Sequence, residues 1–332
     1  MILSYHRKVD YMKLTQVDTN PYKYSNTNKR YYTYDYYLKN TFGGKVAKIP
    51  LDCGFTCPNI DGSKGRGGCI YCSSRGSGDF AQKPTIPISE QYKNMLAKMS
   101  RKWDTVMTIP YFQAHTNTYA DIETLKMLYY EALTFDGVVG LNIATRADCL
   151  SDEIISLLCE IAEKTVLTVE LGLQSVHDST GKLINRCHTY REFCDGYYKL
   201  RSASEKINIC IHLIEGLPNE DHEMMLESAK AIARLHPDQI KLHCLYVIKS
   251  TALSKLYFDG CYTPITLDEY VSIICDTLEV LPEDTVIGRL TGDADKDQLI
   301  APMWTIRKTE VINMIDKEMY NRNSWQGKYY KG

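Results

Sequence analysis

Short apolar, β-rich runs recur along the 332-residue chain, with helical patterns in the gaps between them. The runs fall at 46–52, 105–112, 138–145, 165–173, 207–214 and 239–247, and their length and β-branched content predict strands. Between them, 89–102, 121–133, 151–163, 189–202 and 221–235 repeat apolar residues at helical spacing, and 267–281 follows the last run. Ser89, Asp121 and Ser151 stand where N-caps belong. Ser151-Asp-Glu also loads the first turn of its helix with carboxylates, where free N–H groups favour them. Alternating strands and helices form parallel sheets through right-handed crossovers. Six such units instead of eight predict an α/β fold, an incomplete (β/α)6 TIM-like barrel open on one side, with function at the carboxyl ends of its strands.

The barrel is expected over 45–281. Residues 1–44 form a basic, Tyr/Lys-rich N-terminal extension. Residues 282–332 form a C-terminal α/β tail, with a short strand at 286–290, a polar loop at 291–298 and a basic helix near 306–323, expected to cover the barrel or to bind substrate.

Charge adds to this picture because it is uneven. The net charge is −2, yet residues 1–48 carry nine Lys/Arg against three Asp/Glu and residues 303–332 six against three, leaving the middle at −11. Basic ends on an acidic body make a phosphate-binding surface if they meet in space; otherwise they are solvated termini. Tyr22, Tyr24, Tyr31, Tyr32, Tyr34, Tyr36 and Tyr37, set among Lys23, Lys29 and Arg30, suit base stacking or pack the extension onto the domain. No apolar run reaches 18 residues, so no membrane span is expected. Cys149, Cys159, Cys187, Cys194, Cys210, Cys244, Cys261 and Cys275 are too scattered for a disulfide framework. They read as small buried hydrophobes of a cytoplasmic protein, and no secretory signal is expected.

The remaining cysteines are grouped. Cys57, Cys69 and Cys72 lie in a glycine-rich loop, Cys57-Pro-Asn-Ile-Asp-Gly-Ser-Lys-Gly-Arg-Gly-Gly-Cys69-Ile-Tyr-Cys72, just after the first predicted strand. Three thiolates ligate three irons of a 4Fe–4S cluster and leave the fourth open to a cofactor. Structural zinc needs a fourth ligand and usually a second C-x2-C or an H-x3-5-H pair, which is missing here. A thioredoxin-like pair would lack Cys57 and the long glycine-rich approach. Cys53 is a fourth nearby thiol, but it belongs to the strand end and is the less favoured ligand. Gly62, Gly65, Gly67 and Gly68 allow the loop to wrap a cluster; the G-x4-G-K-[ST] phosphate loop is absent.

This arrangement resembles the radical S-adenosylmethionine superfamily, and its long gap between the first two cysteines resembles the branch related to the elongator catalytic subunit. Gly54-Phe-Thr-Cys-Pro-Asn-Ile-Asp-Gly62, Tyr111-Phe-Gln-Ala-His-Thr-Asn-Thr-Tyr119, Val169-Glu-Leu-Gly-Leu-Gln-Ser175, Arg289-Leu-Thr-Gly-Asp293 and Asn323-Ser-Trp-Gln-Gly-Lys-Tyr-Tyr330 are similar to motifs of its YtqA/YhcC subgroup. The resemblance implies a 4Fe–4S cluster and S-adenosylmethionine as cofactors, and a 5′-deoxyadenosyl radical that abstracts a hydrogen atom. It implies that Tyr71 packs near the adenine and that Thr116, Asn117 and Thr118 hold the methionine amino group. Glu170 would meet ribose hydroxyls or the methionine ammonium, or else form an ion pair at the edge of the core. Gln174 belongs to the same strand end, and Arg146 and Arg186 would clamp the methionine carboxylate, bind RNA phosphate or serve a salt bridge. Gly216, Leu217 and Pro218, with Tyr246, would contact the adenine. Asn185-Arg-Cys-His188 departs from the subgroup's Asn-Arg-Gly-His, and Cys187 gives up backbone freedom if the glycine served a positive φ. His115, His188, His212 and His243 read as hydrogen-bonded structural histidines.

The same resemblance implies a tRNA substrate, in which the 5-carboxymethylaminomethyl side chain of the wobble uridine becomes aminomethyl, and a reductant such as flavodoxin or ferredoxin. The basic, tyrosine-rich amino end and Lys317, Arg322, Trp325, Lys328, Tyr329 and Tyr330 would bind the RNA. The fifty residues after the barrel are too few for an acetyltransferase domain. Two alternatives remain at this level: a radical enzyme acting on a small molecule or protein, and a noncatalytic iron–sulfur or zinc RNA-binding module.

Overall fold

A computed structural model describes residues 20–76, 81–101, 107–292 and 294–332. Expectations that touch residues 1–19, Lys102, Thr105 or Asp293 lie outside the described residues there. Helix α1 (Tyr34–Phe42) leads into β1 (Val46–Leu51), and α2 (Ile88–Ser100), β2 (Met107–Phe112), α3 (Ile122–Leu133) and β3 (Gly140–Thr145) follow. Next come α4 (Asp152–Ala162), β4 (Val166–Gln174), α5 (Asp178–Leu183), α6 (Tyr190–Ala203), β5 (Ile207–Glu215), α7 (His222–Leu235) and β6 (Gln239–Cys244). The chain ends with β7 (Val247–Ile248), α8 (Ala252–Phe258), α9 (Leu267–Val280), β8 (Val286–Arg289), β9 (Leu299–Ala301) and α10 (Lys308–Asn321).

Strands β1 to β6 and then β8 make one parallel sheet in that order, the curled wall of a half-barrel. Six barrel strands were expected and seven are present. The tail's short strand is the seventh, because α9 is a further crossover that returns the chain alongside β6, pairing Gln239 with Val286 and Ile240 with Ile287. The sheet therefore runs past residue 281. The sixth predicted run ends as a sheet strand at Cys244, and Val247–Ile248 pairs instead with β9.

Helix starts follow local chemistry. Asp121 accepts from the Thr124 amide and Ser151 from the Ile154 amide, as N-caps should. Ser89 does not cap: α2 begins one residue earlier, at Ile88, behind Pro87, with no side-chain cap bond. Alternate strand residues, among them Ile49, Leu51, Leu141, Ile143, Val169, Leu171, Ile209 and Ile211, are buried in one core with the helices. The residues between them point into the half-barrel, where the polar groups described below are held.

The amino-terminal mouth is closed from within. Leu38 of α1 packs on Val46 and Ile109, with Tyr34, Tyr37 and Phe42 around them. The segment before α1 bridges the edge strand β8, Tyr32 O accepting from the Ile287 amide at 2.7 Å, so α1 spans the gap from β8 to β1.

The last nine residues do not return over the carboxyl end of the strands. Gln326 is fully buried at the opposite end; its Oε1 accepts from the Tyr32 amide at 2.9 Å, and its Nε2 donates to Pro282 O at 2.6 Å and Thr285 O at 2.8 Å. Gly327 and Tyr329 donate to Leu278 O and Glu279 O at the end of α9. The tail is thus anchored where α9 enters β8, opposite the cysteine loop, because its polar groups satisfy backbone left free at that corner. The two basic ends do meet here, but many of their cations are already paired: Lys23 with Glu283, Lys29 with Asp316, Arg322 with Asp276. Tyr24 stacks on Tyr32 at 5.0 Å between ring centroids, and Tyr22 donates to Glu283 O, so these rings pack the extension onto the domain.

Replacing Gln326 by Ala strands one buried donor and two buried carbonyls. Urea unfolding is expected to show a loss of roughly 1–3 kcal/mol; an unchanged midpoint would show that this corner is held by other contacts.

Candidate active site

The cysteine loop occupies the expected place, at the carboxyl end of β1. It turns on left-handed glycines, with φ of 98° at Gly62, 86° at Gly67 and 72° at Gly68, which other residues adopt only under strain. Side-chain amides hold its shape: Asn185 Nδ2 donates to Arg66 O and Gly68 O at 2.9 and 2.7 Å, and Asn59 Nδ2 donates to Asn185 O at 2.8 Å. Ile70 is tied through its amide to Ile184 O and through its carbonyl to the Leu253 amide.

Hydrogen-bond donors face the sulfurs. Thr116 Oγ1 donates to Cys57 Sγ at 3.1 Å, and Asn59 Nδ2 lies 3.3 Å from Cys69 Sγ. Cys72, followed by Asn59 and Tyr71, draws the Cys69 thiol down to about 6, which favours thiolate there. His115 Nδ1 lies 3.8 Å from Cys57 Sγ. Cys53 differs: burial, with the charge of Asp52, pushes its thiol up to about 12, and the side chain packs against the main core. Among the described residues no three His, Cys, Asp or Glu side chains are placed to hold a single metal ion. Thiolates of a cubane cluster each meet a different iron and need not converge on one point.

The other expected residues divide. Thr116, Asn117 and Thr118 are buried beside the loop, but Thr118 Oγ1 is committed to Cys149 O at 2.7 Å and Thr116 to Cys57. Asn117 Nδ2 donates to Ala114 O and Ala144 O while its Oδ1 has no partner, an acceptor open to an ammonium group. Tyr71 packs with Ile184, Leu217 and Leu245 beneath the loop. Gly216, with φ of 81°, accepts from Tyr262 O–H at 2.8 Å, and Tyr246 lies against Gly292. Gln174 closes β4 with φ of 69°.

Arg186 takes the salt-bridge alternative: it is buried, spends its guanidinium on Leu173 O, Ser175 O and His188 O, so joining two backbone segments, and lies 3.6 Å from the Asp178 carboxylate. Arg146 is likewise committed, bidentate to Asp148 at 2.9 Å and donating to Arg186 O. Cys187 does adopt positive φ, 60°, the conformation that glycine takes without strain. Of the histidines, His212 is hydrogen-bonded, whereas both ring nitrogens of buried His188 and Nε2 of His243 lack hydrogen-bond partners, His188 Nδ1 lying 3.8 Å from Asp148 Oδ1.

Glu170 takes the ion-pair alternative, but inside the half-barrel and not at the edge of the core. It lies in the middle of β4, not at its end, and its side chain is wholly buried. Oε1 accepts from Asn142 at 2.9 Å and pairs with Lys48 at 3.2 Å. Oε2 accepts from Tyr111 at 2.7 Å, meets His212 at 2.9 Å and pairs with Lys241. Both oxygens are filled, leaving none for a ribose or an ammonium group. Burial opposes ionisation, but Lys241 and Lys48 outweigh it and hold the carboxyl well below its usual range. Sequence reasoning missed this layer although a signal existed: Lys48, Tyr111, Asn142, Glu170, His212 and Lys241 are polar residues in the middle of largely apolar strands.

Comparison with known proteins agrees with this geometry. Residues 62–232 match the radical SAM superfamily and residues 237–321 the Radical_SAM C-terminal domain. The chain belongs to the radical SAM superfamily, whose enzymes use a 4Fe–4S cluster and S-adenosylmethionine. It is 45% identical to YtqA of Bacillus subtilis (strain 168) over 95% of this chain and 97% of that one. It is 32% identical to YhcC of Escherichia coli (strain K12) over 87% and 92%. Elongator complex protein 3 of Homo sapiens is 25% identical over 49% of this chain and 30% of its own length. Among solved structures, an N-terminally deleted Elp3 of Methanocaldococcus infernus aligns with a TM-score of 0.63 at 19% identity. That alignment covers 85% of this chain and 64% of the other, and it shows the shared fold. No helix among the described residues is long and apolar enough to cross a membrane.

Proposed function

We propose that Cys57, Cys69 and Cys72 ligate the cluster and that the enzyme converts the 5-carboxymethylaminomethyl side chain of the tRNA wobble uridine to the aminomethyl form. Bound there, the cluster and S-adenosylmethionine supply hydrogen-atom abstraction by a 5′-deoxyadenosyl radical. The protein's part is placement. Asn59 and Thr116 direct donors at the sulfurs, Asn117 offers its free Oδ1 to the methionine ammonium, and Tyr71 with the Gly216 turn forms an apolar wall for the adenine. The observation that carries the tRNA assignment is the similarity to Elongator complex protein 3 across half the chain, joined to the YtqA-type motifs. A half-barrel open along one side also suits an unstacked base presented on a bulky RNA. The electron is assigned to a flavodoxin or ferredoxin, and the setting to the cytoplasm.

Ala at Cys57, Cys69 or Cys72 is expected to abolish the cluster, since each loss leaves a second iron without a protein ligand, whereas Cys53→Ala retains it. Iron content and visible absorbance after anaerobic reconstitution decide this; an intact cluster in the Cys57 variant beside a cluster-free Cys53 variant would reverse the assignment.

The substrate is tested by nucleoside mass spectrometry of tRNA from cells lacking the gene. Carboxymethylaminomethyl-uridine is expected to accumulate at the expense of aminomethyl-uridine. An unchanged nucleoside profile contradicts the reading.

A further inference from the structure

The floor of the half-barrel carries more positive charge than its one carboxylate neutralises. Lys48 and Lys241 both pair with Glu170. Arg289 is paired with Lys241 in the sheet register, is exposed, and makes no hydrogen bond or ion pair among the described residues. Its charge acts on Lys241, His212 and His243, and His243 Nε2, two residues above Lys241 on β6, is buried without a partner. Burial pulls Lys241 down to about 8 against the attraction of Glu170, and Lys48 and Arg289 add to that depression. Three cations gathered around one carboxylate favour an additional anion.

The place suits a substrate group better than the cofactor. Lys48 and Lys241 each lie three residues before the end of their strands, so at about 3.3 Å per residue the floor is about 10 Å below the edge that bears the cysteine loop. Two residues further along their strands on the same face come Pro50, Ala144 and Gly172, and with them Ile214 and His243; the Gln174 side chain lies over Gly172. Solvent reaches the floor, since the Lys48 and His212 side chains are 22% and 19% exposed.

We propose that this floor is an anion site that takes the carboxylate of the substrate's side chain, with Arg289 as its direct partner and Lys241 and His243 beside it. The proposal rests on the tRNA reading above. In that reaction the substrate carries a carboxylate beside its ammonium group and the product the ammonium group alone, so one cationic floor attracts the carboxylate of the first and repels the unbalanced charge of the second. Discrimination then comes from attraction and repulsion together, and a guanidinium matches the fork of a carboxylate.

The test uses the full-length reconstituted protein and three anticodon stem-loops, identical except for carboxymethylaminomethyl-uridine, aminomethyl-uridine or plain uridine at the wobble position. Wild type is expected to bind the first at least about tenfold more tightly than the second, a difference of about 1.4 kcal/mol. Arg289→Gln is expected to bring that ratio near one, and Arg289→Lys, which keeps the charge, to retain a preference. Arg289 is exposed, so its variants should fold, and circular dichroism melts check this. A wild type without preference, or a folded Arg289→Gln that keeps it, overturns the proposal. If Arg289→Gln weakens all three RNAs equally, the floor binds backbone phosphate and the carboxylate assignment is wrong. Unchanged cellular nucleosides would instead remove the tRNA reading, while altered nucleosides with preserved discrimination in Arg289→Gln remove only this inference.

Discussion

A buried carboxylate at the centre of the half-barrel sets the terms for the rest of the structure. Glu170 is taken wholly out of water, so its charge persists only because partners from β1, β2, β3, β5 and β6 converge on it. Removing one partner from such a group is far more costly than the pair's net contribution, because the other charge is left stranded. The interaction therefore favours one register for each of those strands. A slip of one residue on β1 or β6 would turn Lys48 or Lys241 to the apolar outer face and leave Glu170 without its countercharge.

With the register fixed at mid-strand, the carboxyl ends fall into place as a platform for the cysteine loop. The loop is then held less by its own glycines than by neighbouring strand ends: Asn185 after α5 clasps its backbone, and Asn59 joins it to Cys69. Arg186 and Arg146 tie the turns after β3 and β4 to the same segment through backbone carbonyls. Functional geometry here depends on buried, hydrogen-bonded polar groups, which specify position more sharply than apolar packing does. At the opposite end α1 plugs the mouth and Gln326 locks the tail, leaving the cysteine end open.

Much of this was legible in the sequence. Strand and helix alternation gives the half-barrel because the periods are strong, and Asp121 and Ser151 cap as their chemistry predicts. The three cysteines stand out because spacing and glycine content mark a loop. What misled was residue type without direction. Arg186 and Glu170 are charged and stand in motifs that resemble those of cofactor-binding relatives, which suggested ligands, but the sequence does not tell that their charges turn inward against carbonyls or lysines. The tail's strand was visible, yet its membership in the sheet depends on a long-range pairing with β6 that no local pattern reveals. Gln326 likewise gives no sign, in a stretch rich in aromatics and cations, that its amide is fully buried.

The central claim, that the Glu170 ion pair with Lys241 organises the half-barrel, is tested most directly by a double-mutant cycle of Glu170→Gln and Lys241→Met followed by urea unfolding. Each single change is expected to lose about 3–5 kcal/mol by stranding its partner, and the double variant to lose less than their sum by at least about 2 kcal/mol. Strictly additive losses, or single variants within about 1 kcal/mol of wild type, would contradict the account.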